Sequence, residues 1–534
     1  MKKHQNKKFI PQNFTKYRDP TDLILEDINA DSIGKVFHVK GMVEKITQTS
    51  GPTLFTISDG TGNLILKGFL SPGTRAFPEI SELSTISATV KLNEYNGMFE
   101  GEIKKISLMN KEESKQFLDS IKELERERAK PVVTEFLVKN IILDKLKESF
   151  LRAATEIRLA IMQNRPIIVR HHNDADGYSA GYTLEKAIVP LIENQHKTTK
   201  AEWEFYTRAP CAAPFYEIED SIKDTAKSLS NAAKFSNKMP LVIIADNGSS
   251  KEDLLGILQG KVHGMDFIVV DHHVFEEDVI SKEVLVHINP FLVGEDGAKY
   301  SAGMLCTELA RFINHVENIE QIPAMAGIAD RINNPEVMEK YIQIAEKKNY
   351  SRELLTDIAA LLDFVSAKLR FMEAREYIEV IFGEPREKQE NLVNVMVPYI
   401  RNLEAKGLKI AKSTSQLKKL GKTTLQSVEV ETTFSMGFYP KPGKCVGLLH
   451  DDLQLTKKIT NLVTIGILKD AITIRATDEA NFSVHGLIEF LQKDFAEAFV
   501  EGGGHKNAGT IKFVPSKQKE VLKLLEDFIH KHSK

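Results

Sequence analysis

Three short apolar runs, Pro166–Val169, Pro240–Ile244 and Phe267–Val270, constrain this chain more than anything else in it. They are rich in β-branched residues and are separated by stretches with helical spacing. A run that is apolar at every position belongs to a strand buried on both faces, hence to a parallel sheet covered by helices, the doubly wound α/β arrangement. Such sheets put their chemistry just outside the carboxyl ends of the strands. There the sequence places residues of one chemical kind. The first run leads into Arg170-His-His-Asn-Asp-Ala-Asp-Gly177, the second into Ala245-Asp-Asn-Gly248 and the third into Asp271-His-His273. A fourth acidic residue, Asp330, ends the small apolar run Ala324–Ala329.

Carboxylates gathered along one sheet edge repel one another unless cations neutralise them. A mixed oxygen and imidazole set suits Mn²⁺, or Mg²⁺ with more of its water retained. Taken singly, each motif has a plainer explanation, since an Asp at a strand end is often a helix cap or turn former. The histidine pairs add weight: 15 His in 534 residues make roughly 0.4 adjacent pairs by chance, and there are two. Chance does not readily put all four clusters on one edge of one sheet.

The rest of the chain is long enough for several separate cores. Between Gly34 and Asn110, apolar and polar positions alternate, as in Phe37–Lys40 and Phe55–Ser58, with turn clusters at Thr49–Pro52 and Asp59–Gly62. That order of strands and turns resembles an OB-fold, a small barrel that often holds oligonucleotides, with Phe55, Phe69, Tyr95 and Phe99 as candidate base-stacking residues. Helical, charge-dense sequence runs from Lys111 to about Gln163 with a break at Pro131. A mainly helical stretch follows Arg331, and its last part, Arg401–Lys422, carries seven positive charges against one negative. Strands are then expected near Leu462–Ile467 and Ala471–Arg475, a glycine cluster at Gly502–Gly504 and a closing helix near Gln518–His530. The expected division is a basic segment 1–33, the OB-like barrel 34–110, a helical linker 111–145, the parallel-sheet domain 146–335, a helical connector 336–424 and a smaller α/β domain 425–534.

The order HHNDADG, ADNG, DHH, GIAD and, far downstream, EGGGHKNAG resembles the DHH phosphoesterase superfamily with its DHHA1 domain. It is most like the archaeal RecJ-like nucleases, where an OB-type domain can precede the catalytic core and the first motif reads RHHNDADG. The resemblance spans about residues 34–534 and implies two divalent metal ions. Asp174 would bind one and Asp176 the other, Asp246 would bridge them, and His272 and Asp330 would complete the second site. His172, which stands where bacterial RecJ usually has Asp, would complete the first. Some superfamily members carry a ligand His where this chain has Arg170, which leaves His171 as the alternative. Asp271 would orient the imidazoles, and His273 would face the scissile phosphate. Arg475, Gly502, Gly503, Gly504 and His505 would form a substrate clamp, glycine allowing backbone N–H groups to approach a phosphate.

The expected activity is then a two-metal hydrolysis in which cations about 3.5–4 Å apart activate a water and stabilise charge on the phosphate. The first reading is an exonuclease on single-stranded DNA or RNA, with Mn²⁺ favoured and a helicase or replisome protein as a partner implied by the resemblance. A second is a phosphodiesterase for very short oligonucleotides or cyclic dinucleotides; a third is a replication scaffold with vestigial activity. The formal charge of −3 excludes a uniformly basic coat, so a polyanion must be met by local patches and metal; the Arg401–Lys422 stretch is a candidate to line the cleft. Cys211, Cys306 and Cys445 form no CxxC pair, which argues against a disulfide framework or thiolate zinc site. The start Met1–Lys8 lacks an apolar run and no stretch of about twenty apolar residues occurs, so a cytoplasmic protein away from membranes is expected. The segment Arg208–Tyr216 carries an Arg and two aromatics near the active edge; base binding and simple packing under a loop are both open for it.

Overall fold

The computed structural model describes residues 21–95, 98–211, 213–235, 237–275, 277–369, 374–435 and 437–532, so the basic tail Lys2–Lys8 lies outside them. The chain divides into two compact units, Met1–Ala129 and Lys130–Lys534.

In the first unit the alternating sequence becomes strands Val36–Gln48, Thr53–Ser58, Asn63–Gly68, Thr85–Tyr95 and Met98–Leu108. The long first strand pairs antiparallel with both the second and the fourth, and the third pairs parallel with the fifth, which closes a barrel of OB topology. A register shift between Val43 and Lys45 lets the first strand bend between its two partners. Every second residue, among them Val39, Val43, Ile57, Leu66 and Val90, points into the core. Phe55 is one of these. It is fully buried and Phe99 packs partly against the same core, so of the four expected stacking aromatics only Phe69 and Tyr95 are exposed. Asp59 sets the turn after the second strand by accepting from the backbone N–H groups of Thr61, Gly62 and Leu25.

In the second unit the three apolar runs become the strands Ile167–His171, Leu241–Ala245 and Asp266–Val270, and two less obvious strands, Tyr206–Pro210 and Val286–Ile288, flank them. All pairings are parallel. Across the sheet the order is Tyr206–Pro210, Ile167–His171, Leu241–Ala245, Asp266–Val270, Val286–Ile288. The chain moves outward one way, then crosses back, so the switch point lies between the strands ending at His171 and Ala245. Alternate residues feed two apolar layers. Val169, Ile243 and Ile268 face one, while Ile168, Val242 and Phe267 face the other.

Helices Pro335–Glu346, Arg352–Leu369, Arg375–Phe382 and Arg386–Thr414 lead to a second sheet. Its strands run Gln416–Leu420, Thr423–Glu429, Leu462–Ile467, Ala471–Ala476, Ala508–Lys512 and Glu501–His505 across the sheet. Two expectations change here. The helical pattern expected to reach Lys422 stops at Thr414, and Lys418 and Lys419 lie on an exposed edge strand, where lysine protects an open edge. Arg401, Lys412 and Lys418 pair with Asp357, Asp452 and Glu526, and no residue of the basic stretch lines the cleft beside the carboxyl ends of the parallel strands. The glycine cluster is the edge strand Glu501–His505, paired on one side only. Among the described residues no helix is long and apolar enough to cross a membrane.

Candidate metal centre and its cleft

The polar ends of three strands meet at the switch point. His172 Nδ1 lies 2.9 Å from Asp174 Oδ2 and 3.6 Å from Asp246 Oδ2. His272 Nε2 lies 3.4 Å from Asp246 Oδ1, 3.6 Å from Asp330 Oδ2 and 3.9 Å from Asp176 Oδ2. Asp246 therefore presents one carboxylate oxygen to each of two clusters, His172 with Asp174 and His272 with Asp176 and Asp330. Its backbone is left-handed, with φ of 61°, a conformation that a non-glycine residue holds at some cost and that turns the side chain between the clusters.

Local chemistry fixes each group. Asp174 caps the helix Ala175–His196 by accepting from the Gly177 N–H at 3.0 Å. Gly177 is required there, because a Cβ would stand 2.1 Å from the His172 carbonyl oxygen. Both oxygens of Asp176 accept backbone N–H groups, from Ala302 at 2.8 Å and Gly303 at 2.9 Å, at the start of the helix Ala302–Ile313. His272 places Nδ1 3.3 Å from the Gly297 carbonyl and so leaves Nε2 toward the carboxylates. Asp271 accepts from the backbone N–H of His272 and His273, and its Oδ1 lies 2.8 Å from His273 Nδ1.

The charges do not balance by themselves. Burial, with Asp246 and Asp330 nearby, pushes the Asp176 carboxyl well above its usual range, and burial raises Asp330 to about 6 against the pull of His272. Burial opposes charge on His272, but Asp330, Asp246 and Asp176 outweigh it and hold the imidazole well above its ordinary value. Each pair of like charges about 5 Å apart costs roughly 3 kcal/mol at an effective dielectric of about 20, which is large beside a net stability of about 5–15 kcal/mol. Asp246 Oδ2 is buried without a hydrogen-bond partner. An acidic cluster with an orphaned buried oxygen and imidazole nitrogens turned inward fits hard or borderline divalent cations.

Arg170 and His171 fall outside both clusters. Strand alternation turns Arg170 to the opposite layer, where Asp224 accepts from Nε at 2.9 Å and from Nη2 at 2.5 Å. His171 is fully buried against Tyr178, with Nδ1 2.7 Å from the His172 carbonyl oxygen.

A cleft of about 390 Å³ joins these clusters to the second sheet, and Arg475, Gly502, Gly503, Gly504 and His505 all line it. The His505 ring stacks on His273 at 4.7 Å. The three glycines differ. A Cβ at Gly502 or Gly504 would come within 2.5 Å of carbonyl oxygens on the neighbouring strand, and Gly504 has φ of 127°, whereas a Cβ at Gly503 would meet nothing within 4 Å. The sheet therefore accounts for the first and last glycine. Gly503 leaves open space on an edge strand beside the clusters.

Three comparisons bear on this architecture. The "Uncharacterized protein MJ1198" of Methanocaldococcus jannaschii is 33% identical over 552 aligned positions, spanning 96% of this chain and 72% of that protein. A solved structure described as "Member of s1p family of ribosomal proteins PF0399 DHH domain" is 34% identical, with a TM-score of 0.74, and covers 79% of this chain and 100% of its own. The chain belongs to the DHH superfamily. Its fold is shared with RecJ in complex with Mn²⁺ from Thermus thermophilus, at a TM-score of 0.51 and 16% identity, over 72% of this chain and 55% of that one. No family model matches the chain.

Several parts of this site carry no motif signal. The N–H groups of Ala302 and Gly303 that hold Asp176 come from a helix start in unremarkable sequence. Phe275, just after the DHH motif, and His485 line the cleft. Of the segment Arg208–Tyr216, Tyr216 is fully buried, while Phe215, 8% exposed, lines the cleft.

Proposed function

We propose that this DHH-superfamily protein is a RecJ-like, metal-dependent phosphodiesterase that degrades single-stranded DNA or RNA from an end. The observation that carries the proposal is Asp246, whose two oxygens are turned to separate ligand clusters beside an open glycine edge strand. His172, Asp174 and Asp246 would hold one divalent cation, and Asp176, Asp246, His272 and Asp330 the other, Mn²⁺ or Mg²⁺ by the donor set. When bound, two such cations supply Lewis acidity, which lowers the pKa of a water and neutralises charge on a phosphate.

The chain's own groups do the rest. Asp271 Oδ1, 2.8 Å from His273 Nδ1, fixes the ring so that an N–H on its other nitrogen would donate to a non-bridging phosphate oxygen. Asp271 holds the ring in place. Arg475 and the free edge of Gly502–Gly504 bind the phosphate, and His505, stacked on His273, closes that side of the cleft. The barrel, with Phe69 and Tyr95 exposed, supports long strands as substrates, for which a dinucleotide enzyme has little use.

End-labelled DNA and RNA single strands, with either end blocked, are the test. Mn²⁺-dependent shortening from a free end, stopped by chelator and faster on a thirty-mer than on a dinucleotide, is the expected result. Preference for the dinucleotide would replace this reading with that of a small-substrate phosphodiesterase.

A further inference from the structure

The cleft is not lined by polar groups alone. Phe215 and Phe275 line it from the parallel-sheet side, and Ile488 lines it from the helix Val484–Asp494. Phe275 stands two residues beyond His273, so its Cα is within roughly 7 Å of that residue's Cα. Its ring packs edge-on against Phe291, with centroids 6.2 Å apart and planes at 74°, and lies 5.9 Å from His287. His287 is itself fixed by Ser249 and Ser281. A rigid aromatic surface thus begins about one sugar's length from where His273 and the clamp would hold a phosphate.

We infer that Phe275, with Phe215, forms a subsite for the terminal nucleobase of the strand; this rests on the nuclease reading above and deepens it. The occupant follows from the chemistry of the neighbours. A group that is covalently tied to a phosphate at the clamp and that prefers an aromatic face is a base, and every base has such a face. The Lys512 ammonium, paired with Glu217, lies 5.6 Å from the Phe215 ring centroid, and stacking on an aromatic surface engages the face that all bases share, so the subsite is tolerant of sequence and demanding of a base. A cleft of about 390 Å³ is within the range of ligand pockets and has room for a nucleotide.

The experiment compares kcat/KM on two single strands that differ only at the attacked end, one with a normal terminal nucleotide and one with an abasic terminal residue. The wild type is expected to favour the base-bearing end by about ten-fold or more. Phe275→Leu, which keeps apolar bulk without a π face, should reduce that ratio toward one, and Phe275→Trp should restore it. A wild-type ratio near one, or a Phe275→Leu ratio equal to that of the wild type, overturns the subsite. Bis(p-nitrophenyl) phosphate, which has no base, separates the two levels. If the wild type cleaves it but neither strand, the nuclease reading falls and the base subsite with it, while the metal centre stands.

Discussion

Lys441 donates a hydrogen bond of 3.0 Å from Nζ to the carbonyl oxygen of Asn173, the residue between His172 and Asp174. It comes from the start of the helix Pro442–Lys457, which packs on the second sheet, and it donates a second bond of 3.1 Å to Ser366 Oγ. Burial depresses the Lys441 ammonium, and Asp363 and Asp174 partly restore it. This bond ties the loop His172–Asp174 to a helix packed on the sheet that carries Arg475 and the glycine strand. Replacement by Met keeps the stem and removes both bonds. Charge-assisted bonds of this kind contribute about 1.5–3 kcal/mol each before compensation. We expect Lys441→Met to lower stability by about 1–3 kcal/mol and to weaken Mn²⁺ binding, read by thermal unfolding and by calorimetric titration of the folded protein. Wild-type values in both would show that the tie does not hold the loop.

The left-handed backbone of Asp246 makes the choice of substitution important. Asn accepts that conformation readily and keeps the side-chain shape, whereas Ala adds backbone strain to the lost carboxylate. Asp246→Asn should retain the wild-type unfolding profile and lose activity by ~10³-fold or more, since it removes the one carboxylate shared by both clusters. Asp246→Ala should be as inactive and also less stable. Chelator-treated Asp246→Asn, reloaded with Mn²⁺ and assayed on a labelled strand, decides the matter: a rate near that of the wild type excludes a bridging role.

What could be read from the residues follows from how strongly each element's surroundings constrain its sequence. The strands Leu241–Ala245 and Asp266–Val270 announce themselves because a sheet covered on both faces leaves almost no position for a polar side chain. Tyr206–Pro210 does not, because Arg208 sits inside it, buried against Glu185. The lysines of Gln416–Leu420 read as the end of a helix since an exposed edge strand tolerates the charge that a helix surface also carries. The glycine cluster carries no strand signal, since glycine has no side chain to alternate, yet it is a strand whose partner crowds two of its three α-carbons. The His and Asp residues that meet at the switch point were legible from motif order. The bonds that orient them, from Ala302, Gly303 and Lys441, were not, because a backbone N–H leaves no mark on sequence and one lysine is like any other.

The contrast among the three glycines separates substrate binding from folding. Gly503→Ala places a methyl in open space, so its effect on stability should stay within about 0.5 kcal/mol. The same methyl intrudes where a phosphate would meet the strand, and KM for a single strand should rise about ten-fold or more. Gly502→Ala should instead lose about 2 kcal/mol or more, as its Cβ would lie 2.5 Å from the Thr510 carbonyl oxygen. Melting temperatures and steady-state kinetics on the two variants test this. Equal KM for Gly503→Ala and wild type would remove the clamp.

Glu308 gives the fold a pH dependence far from the ligand clusters in sequence. It is fully buried; Tyr341 Oη donates to Oε1 at 2.6 Å and the Leu137 N–H donates to Oε2 at 2.8 Å. Burial pushes its pKa from about 4.5 up to about 7, against the lowering effect of those bonds. Because the folded state holds this proton more tightly than the unfolded chain, the contribution is fully present below about pH 4.5. It falls as pH rises and is gone above about pH 7. An interval of that width amounts to about 3 kcal/mol. Glu308→Gln removes the titration and leaves the Leu137 N–H facing an amide nitrogen, at a cost of about 1 kcal/mol. The variant should therefore be slightly less stable than the wild type at pH 5 and more stable at pH 7.5. Urea unfolding of both proteins across that range measures the difference, and parallel stability curves would mean that Glu308 is already ionised in the folded state at pH 5.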